Sequence, residues 1–392
     1  MDETSRNPDT PMRRTALLVA ALLPLSLPLQ AAPAPVPAEN DRCNFATRDP
    51  DMAVRACSEA IESGRLSGRD LARAHAVRAM AYRARDRFDP AIEDFSTAIA
   101  IDPAPIAFIE RGKTYVLAFR HAEAIADFDT IAKQNPRAVK IFEDVADWLM
   151  STHYFAEAAL YYEAAMRHAP RESRLVHRRG DMADYVGQQD EALHFYDAAL
   201  ELDPNNAEVH ASRAVVLMHR REYDRSLAET ARALELQPKF AHARYVRGRA
   251  LFDLGRFEEA AEVFSQVMQD GRRDAYTALW RYLALARAGR DGRAELRELS
   301  QTLSLESWPG PVIGLFLDGL EPDELLELAQ HHDPRTTRNQ RCEALFFIGE
   351  YHLLAGRKDD AQAAFEATVG TGVIAFVEYW HAKRELERLG RP

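Results

Sequence analysis

Five prolines recur at a nearly constant interval through the middle of this 392-residue chain. They lie at positions 103, 136, 170, 204 and 238, so the intervals between them are 33, 34, 34 and 34 residues. Each proline follows an apolar segment with helical spacing, and proline ends a helix because it has no amide hydrogen to donate. Such a fixed period predicts a series of stacked helical hairpins rather than one globular core.

Most periods pair a small residue in the first helix with a large one in the second. Gly112 is followed by Phe128, and Gly180 is followed at the same distance by Tyr196. A small residue lets two helices approach closely, and an aromatic ring fills the space between successive hairpins. This pattern resembles the tetratricopeptide repeat, a helix-turn-helix unit of about 34 residues.

The resemblance implies an all-α fold, namely a right-handed α-solenoid of tetratricopeptide repeats with an irregular C-terminal segment and a capping helix. The absence of sustained alternation between apolar and polar residues also favours helices over strands. Within residues 72–274, six repeats are predicted at 72–104, 105–138, 139–172, 173–206, 207–240 and 241–274.

Both ends of the chain depart from the period. Residues 33–71 are predicted to form a linker and a capping half-repeat, because Ala53 and Cys57 match only the second helix of a repeat. Residues 275–341 are expected to be degenerate helical repeats. Residues 342–392 add one more repeat, followed by an amphipathic helix that closes the solenoid.

The N-terminus has the pattern of an export signal. Two arginines after Met12 precede the apolar run from Ala16 to Leu29, and small residues follow it. Residues 1–32 are therefore predicted to be a signal peptide with its start at Met12, which makes the mature chain a soluble periplasmic or secreted protein. A retained membrane anchor is the less favoured alternative, because the run is shorter than the roughly 20 apolar residues that span a bilayer.

The three cysteines are Cys43, Cys57 and Cys342. In an exported chain, Cys43 and Cys57 are expected to form a disulfide, which for a loop of this size contributes about 3 kcal/mol in the chain-entropy model. Two buried thiols are the alternative. Cys342 is expected to be buried, and the absence of a Cys-x-x-Cys pair gives no support to a zinc or redox role.

Charge and motifs argue against nucleic-acid binding and catalysis. Fifty basic and sixty-one acidic side chains leave a net charge of −11, which disfavours binding to phosphate backbones. Gly112-Lys113-Thr114 lacks the earlier glycine of a phosphate-binding loop, and His331-His332-Asp333 lacks a second metal-binding pair. We therefore predict no catalytic residues, no metal and no cofactor. An unrecognised hydrolase within residues 275–341 is the enzymatic alternative.

The repeat resemblance implies that positions 2, 5, 9 and 12 of each repeat line a groove that binds a partner. Methionine and aromatic side chains there suit a peptide, and three aspartates favour a basic or amide-rich partner. A solvated inner face without a ligand is the alternative. The residues selected are Met80, Lys113, Val116, Asp147, Met150, His177, Asp181, Asp184, Met218, Tyr245, Arg249 and Phe252.

The C-terminal part resembles a more particular family. Trp308-Pro309, the segment from Glu343 to Glu350 and Phe376-Val377-Glu378 are similar in order and spacing to the NlpI family of periplasmic repeat lipoproteins. That resemblance implies a non-catalytic adaptor that dimerises and brings together envelope proteases and peptidoglycan-cleaving enzymes. The chain departs from the family because residues 40–42, before Cys43, do not form a lipidation signal.

These observations predict a protein–protein interaction scaffold or adaptor in the bacterial cell envelope, recruiting a peptidoglycan hydrolase or a protease. The alternative is a holdase-like assembly factor for secreted or outer-membrane proteins. The expected partners are other envelope proteins or peptides. A homodimer through the aromatic residues Phe376, Tyr379 and Trp380 is a further hypothesis, and capping of the last repeat's core is the alternative role for these three residues.

Overall fold

The computed structural model of the chain describes Cys43 and residues 49–152, 154–317 and 319–390. The predicted signal peptide, residues 1–32, lies outside the described residues. The chain divides into two compact units, of which unit 1 ends at Arg171 and unit 2 begins at Glu172. The described residues form helices and no strand, so the predicted all-α fold class is confirmed.

Unit 1 consists of antiparallel helix pairs preceded by a single helix. The first helix of each pair is called the A helix, and these are α2, α4 and α6. The bounds are α1 Pro50–Glu62, α2 Gly68–Arg83, α3 Phe88–Ile101, α4 Pro105–Leu117, α5 His121–Gln134, α6 Val139–Ser151 and α7 Phe155–His168.

Unit 2 contains further pairs, a less regular middle part and a C-terminal helix. Its A helices are α8, α10, α12, α14 and α18. The bounds are α8 Ser173–Tyr185, α9 Gln189–Leu202, α10 Ala207–His219, α11 Tyr223–Leu236, α12 Ala241–Asp253, α13 Phe257–Gln269, α14 Ala275–Arg287, α15 Arg293–Ser300, α16 Gly310–Phe316, α17 Pro322–Leu328, α18 Pro334–Leu354, α19 Lys358–Gly370 and α20 Val377–Arg388.

The helices of a pair are held close by the match of a glycine with an aromatic ring. A Cβ atom at Gly112 would lie 2.4 Å from the ring of Phe128, and one at Gly349 would lie 2.4 Å from Phe365. No real Cβ contact is that short, so these positions accept only glycine unless the ring moves. The small residues that define the repeat in the sequence are therefore contact points between paired helices.

A second contact within the pairs is an arginine that binds an acid sixteen residues later. Arg111 donates to both oxygens of Asp127 at 2.7 and 2.9 Å. Arg78 binds Asp94 in the same bidentate way, at 2.7 and 2.8 Å. These side chains are largely buried, and the guanidinium groups supply the carboxylates with hydrogen bonds that replace water. Asp94 also lies 2.8 Å from a ring nitrogen of His75. The sequence analysis did not identify the pairing of arginine with acid, although its spacing is regular.

The N-terminal end of unit 1 is tied by a disulfide between Cys43 and Cys57, as predicted. Cys57 belongs to α1, and the two sulfurs pack with Ala60, Ala74 and Val77 in a small core between α1 and α2. Both cysteines are fully buried.

The middle of α18 is enclosed on all sides. Each residue from Cys342 to Glu350 is buried, which a helix with one solvent face would not show. Trp280 of α14 packs on Phe346 and Phe347, so α14 and α18 share one hydrophobic core. Cys342 is a free, buried thiol, as expected.

We predict that Gly112→Ala destabilises the protein by about 1–3 kcal/mol, because the added methyl group overpacks the contact with Phe128. The matched control is Gly370→Ala, at the end of α19, where a Cβ would meet no atom within 4 Å. That substitution should leave stability unchanged or slightly raised, since alanine favours helix. Urea unfolding measures both, and equal midpoints for the two variants would contradict the packing account.

We also predict that replacing Cys43 and Cys57 by serine lowers the free energy of unfolding by about 3 kcal/mol, from the lost loop constraint. Urea unfolding with and without reductant checks this. Reductant should bring the wild-type chain to the stability of the variant and should leave the variant unchanged. If the reductant lowers the stability of both proteins equally, its effect does not come from the disulfide between Cys43 and Cys57.

Candidate peptide-binding faces

The twelve residues predicted to bind a partner divide between the two units. Positions 2, 5, 9 and 12 of a helix repeat on one side, because successive members lie three or four residues apart. Five of the predicted residues lie on the A helices of unit 1, and seven lie on those of unit 2. Each set is described separately, and their binding role stays a prediction.

The A helices of unit 1 carry a solvent-exposed surface, which we call the unit 1 face. Met80 is 37% exposed and Asp147 is also exposed, whereas Met150 and Lys113 are half-buried. The sequence analysis omitted Ile106, which is 62% exposed, although it occupies position 2 of its repeat. Val116 is 5% exposed and belongs to the core. The unit 1 face therefore consists of Met80, Ile106, Lys113, Asp147 and Met150.

The charge of Lys113 is neutralised within the protein. Its ammonium group donates to Glu110 at 2.8 Å, and Arg83 donates to the other oxygen of Glu110 at 2.6 Å. Burial alone would raise the pKa of Glu110, but these two cations outweigh it and hold the pKa below its ordinary value. Lys113 is thus part of an ion cluster and not a free cation for a partner.

Asp147 provides negative charge at the other end of the unit 1 face. One oxygen accepts a hydrogen bond from Tyr162 at 2.5 Å, which fixes the carboxylate while the residue remains exposed. Lys140 forms an ion pair with Asp144 at 2.8 Å. The face therefore combines exposed apolar side chains with a positioned carboxylate.

In unit 2 the predicted aspartates have partners within the chain. Asp181 accepts a hydrogen bond from Tyr196 at 3.0 Å and lies 3.3 Å from a ring nitrogen of His177. Burial would raise the pKa of Asp181, but His177 and the other neighbours lower it overall. Asp184 lies 3.6 Å from His219. The two aspartates that the sequence analysis assigned to a partner are thus already paired with histidine and tyrosine side chains of the chain itself.

The other predicted residues of unit 2 are buried, and this burial was not foreseen. Phe252 is 1% exposed and Arg249 is 3% exposed, and Met218, Tyr245 and His177 are buried with them. Side chains in this position cannot contact a partner unless something covering them moves.

Helix α20 lies against this surface. Arg388 donates to the main-chain oxygens of Phe252 and Asp253 at 3.0 and 2.5 Å, and His381 lies 2.5 Å from a carboxylate oxygen of Asp253. Trp380 stacks on the ring of His219, with 4.8 Å between ring centroids. The C-terminal helix of the chain thus contacts the A helices that were predicted to receive a partner.

Of the three aromatic residues in the dimer hypothesis, Trp380 makes contacts within its own chain. Trp380 contacts His219, and its indole nitrogen donates to the main-chain oxygen of Ile374 at 2.9 Å. Phe376 and Tyr379 are half-buried. These contacts fit the capping alternative for Trp380, and the homodimer stays a prediction.

Two further features concern metal binding and membrane insertion. In the part of the chain that the structure describes, no group of three or more histidine, cysteine, aspartate or glutamate side chains is arranged to hold a metal ion. None of its helices combines the length and apolar character that a membrane crossing needs. His331 accepts a hydrogen bond from the main-chain nitrogen of Asp333, so it belongs to the turn before α18.

Comparison with known proteins identifies the repeats. The tetratricopeptide repeat family matches residues 72–105, 173–206, 195–228, 213–275 and 245–301. The chain therefore contains tetratricopeptide repeats, which generally mediate protein–protein interactions, and no catalytic family is indicated.

Similar solved structures are also of tetratricopeptide repeat proteins. YrrB, described as having an unusual peptide-binding site, is 22% identical and aligns over 48% of this chain and 97% of its own, with a TM-score of 0.35. A repeat protein from Parabacteroides merdae is 15% identical over 63% of this chain and 97% of its own, with a TM-score of 0.42. The first repeat domain of Spaghetti, bound to an HSP90 peptide, is 21% identical over 33% and 92%, with a TM-score of 0.27.

We predict that the stability of the protein falls between pH 6.5 and 8.5 because of Glu378 in α20. Burial, and secondly the nearby Glu343, raise the pKa of Glu378 above its ordinary value. The folded state therefore holds a proton that the unfolded state has released, and its contribution to stability is lost as pH rises through the folded-state pKa.

Glu378→Gln should reduce this pH dependence, since the amide stays neutral at every pH. The matched control is Glu366→Gln on the exposed side of α19. Urea midpoints at pH 6.5 and 8.5 measure the effect. If Glu378→Gln and the wild-type chain lose the same stability over this interval, the assignment to Glu378 is wrong.

Proposed function

We propose that this chain is an exported, non-enzymatic scaffold that binds segments of other cell-envelope proteins through the unit 1 face. The observation that carries the proposal is the exposure of Ile106 and Met80 on neighbouring A helices of one unit. Large apolar side chains that cluster on a surface mark interaction sites more often than isolated ones do. Met80 lies in a matched tetratricopeptide repeat, residues 72–105, and such repeats generally bind proteins.

The unit 1 face suits a peptide of mixed character. Ile106, Met80 and Met150 offer apolar contact, and methionine adapts to differently shaped side chains. Asp147 offers a fixed carboxylate to a basic or amide group of the partner. Because Lys113 is already paired with Glu110, it adds little attraction for an acidic partner.

Two observations support an exported protein. The first 32 residues have the pattern of a secretory signal. The disulfide between Cys43 and Cys57 is of a kind that persists in oxidising compartments such as the periplasm. The resemblance of the C-terminal part to NlpI favours an adaptor that recruits a peptidoglycan hydrolase or a protease.

We predict that Ile106→Glu abolishes the capture of specific partners from an envelope extract, because a carboxylate replaces the most exposed apolar contact of the unit 1 face. Asp147→Lys should weaken capture of the same proteins through charge repulsion. The matched control is Leu160→Glu, which changes a residue of α7 that is 43% exposed and belongs to a second helix of its pair. Mass spectrometry of the captured proteins compares the four chains.

Binding of each identified partner to the purified chain then gives the dissociation constant. Equal capture by Ile106→Glu and Leu160→Glu would remove the unit 1 face from the proposal. Competition by unrelated denatured proteins would instead support the holdase-like alternative, which expects broad binding of unfolded clients.

A further inference from the structure

Helix α20 contacts the last residue of three consecutive A helices in unit 2. Trp380 stacks on His219 at the end of α10, and His381 binds Asp253 at the end of α12. Glu385 lies 3.0 Å from Arg287 at the end of α14. One helix of the chain therefore lies across the ends of successive repeats, as a bound helical peptide would.

The contacts of α20 are both apolar and polar. Ala382 is fully buried in the hydrophobic core and Leu386 packs against it, whereas charged side chains of α20 bind the ends of the A helices. Arg287 binds Glu385 and also Glu350 of α18, each at 3.0 Å. Arg388 is held by two main-chain oxygens and by Glu385. The core of a folded domain is mainly apolar, whereas an interface with a partner combines an aromatic anchor with arginine and hydrogen bonds. The ends of the A helices under α20 match the second description, whereas the contact of α20 with the core through Ala382 matches the first.

The packing under α20 is also incomplete. A cavity of about 50 Å³ remains between the helix and the A helices, lined by His219, Tyr223, Asp253, Trp380 and Arg384, among others. Within the described residues, the second ring nitrogen of His381 and the Nε atom of Arg249 are buried without a hydrogen-bond partner. Such groups lower the stability of the docked state, because each has lost its hydration.

A short connection joins α20 to the rest of unit 2. Six residues separate Gly370, the last residue of α19, from Val377. Gly372 within this connection has a φ of +65°, which glycine adopts without strain.

Charged side chains that leave a polar interface regain water, so release of α20 costs less free energy than release of an apolar helix of the same length.

We propose that the A helices of unit 2 form a second binding site for an amphipathic helix, which the chain's own α20 occupies here and which a partner helix takes by displacing it. The partner helix carries an aromatic residue followed by basic and acidic residues at the spacings of Trp380, Arg384, Glu385 and Arg388. The inference rests on the proposed protein-binding role but uses a different surface from the unit 1 face.

A labelled synthetic peptide of residues 372–390 is the probe, and the full chain is the receptor. The wild-type chain should bind it weakly, because the tethered α20 competes at a high effective concentration. The double variant Trp380→Ala and Arg388→Ala weakens only the tethered copy, so the peptide should bind at least about tenfold more tightly. Gly112→Ala in unit 1 is the control for general destabilisation, and it should leave peptide binding at the wild-type level.

Hydrogen exchange of the wild-type chain provides a second measurement that needs no variant. The amides of α20 should exchange through a local opening, faster than the buried amides of α18. Adding an excess of the unlabelled peptide should increase exchange in the tethered α20.

Two results would overturn the inference. One is exchange of α20 only together with α18, which makes α20 a permanent part of the core. The other is equal peptide binding by the double variant and the wild-type chain. The variant Ile106→Glu separates this inference from the proposed function, because it should lose partners of the unit 1 face and still bind the peptide.

Discussion

The close approach of paired helices, set by a small residue against an aromatic ring, is the constraint on which the other features depend. At Gly112 and Gly349 the ring occupies the space of the missing side chain. Where it occurs, this contact fixes the register of the helix pair, and the register decides which positions of an A helix face the partner helix. The remaining positions, repeated at the same places in each pair, form the unit 1 face and the surface beneath α20.

Charged residues serve mainly to hold the repeats together. Arg78 and Arg111 bind acids within their own helix pairs, and the Arg83, Glu110 and Lys113 cluster joins neighbouring A helices. A net charge of −11 therefore says little about the charge that a partner meets. In the proposed function, recognition depends on the exposed charge of the unit 1 face, Asp147, together with its exposed apolar side chains.

The sequence predicted the fold well because the repeat is a local pattern. Proline spacing and the small and aromatic pairs such as Gly112 and Phe128 act between residues less than 40 positions apart, and so did the confirmed disulfide. The burial of the predicted binding residues of unit 2 could not be predicted from a local pattern. The ring of Phe252 contacts Phe257 and Trp280 and also His381, which lies more than 120 positions later. No periodicity records that last contact.

The polar surface beneath α20 also determines which competitors could replace it in the proposed exchange. An apolar helix would leave Asp253 buried without its partner His381 and would remove Glu385 from Arg287, which would keep only Glu350 of α18. A buried charge that loses its partner costs several kcal/mol. A competitor must therefore bring a hydrogen-bond donor to Asp253, as His381 does, and an acid to Arg287, at the spacing that α20 itself uses. The buried charges that lower the free-energy cost of releasing α20 thus also exclude most amphipathic helices. Selectivity at this site comes from the unfavourable free energy of leaving those charges unpaired.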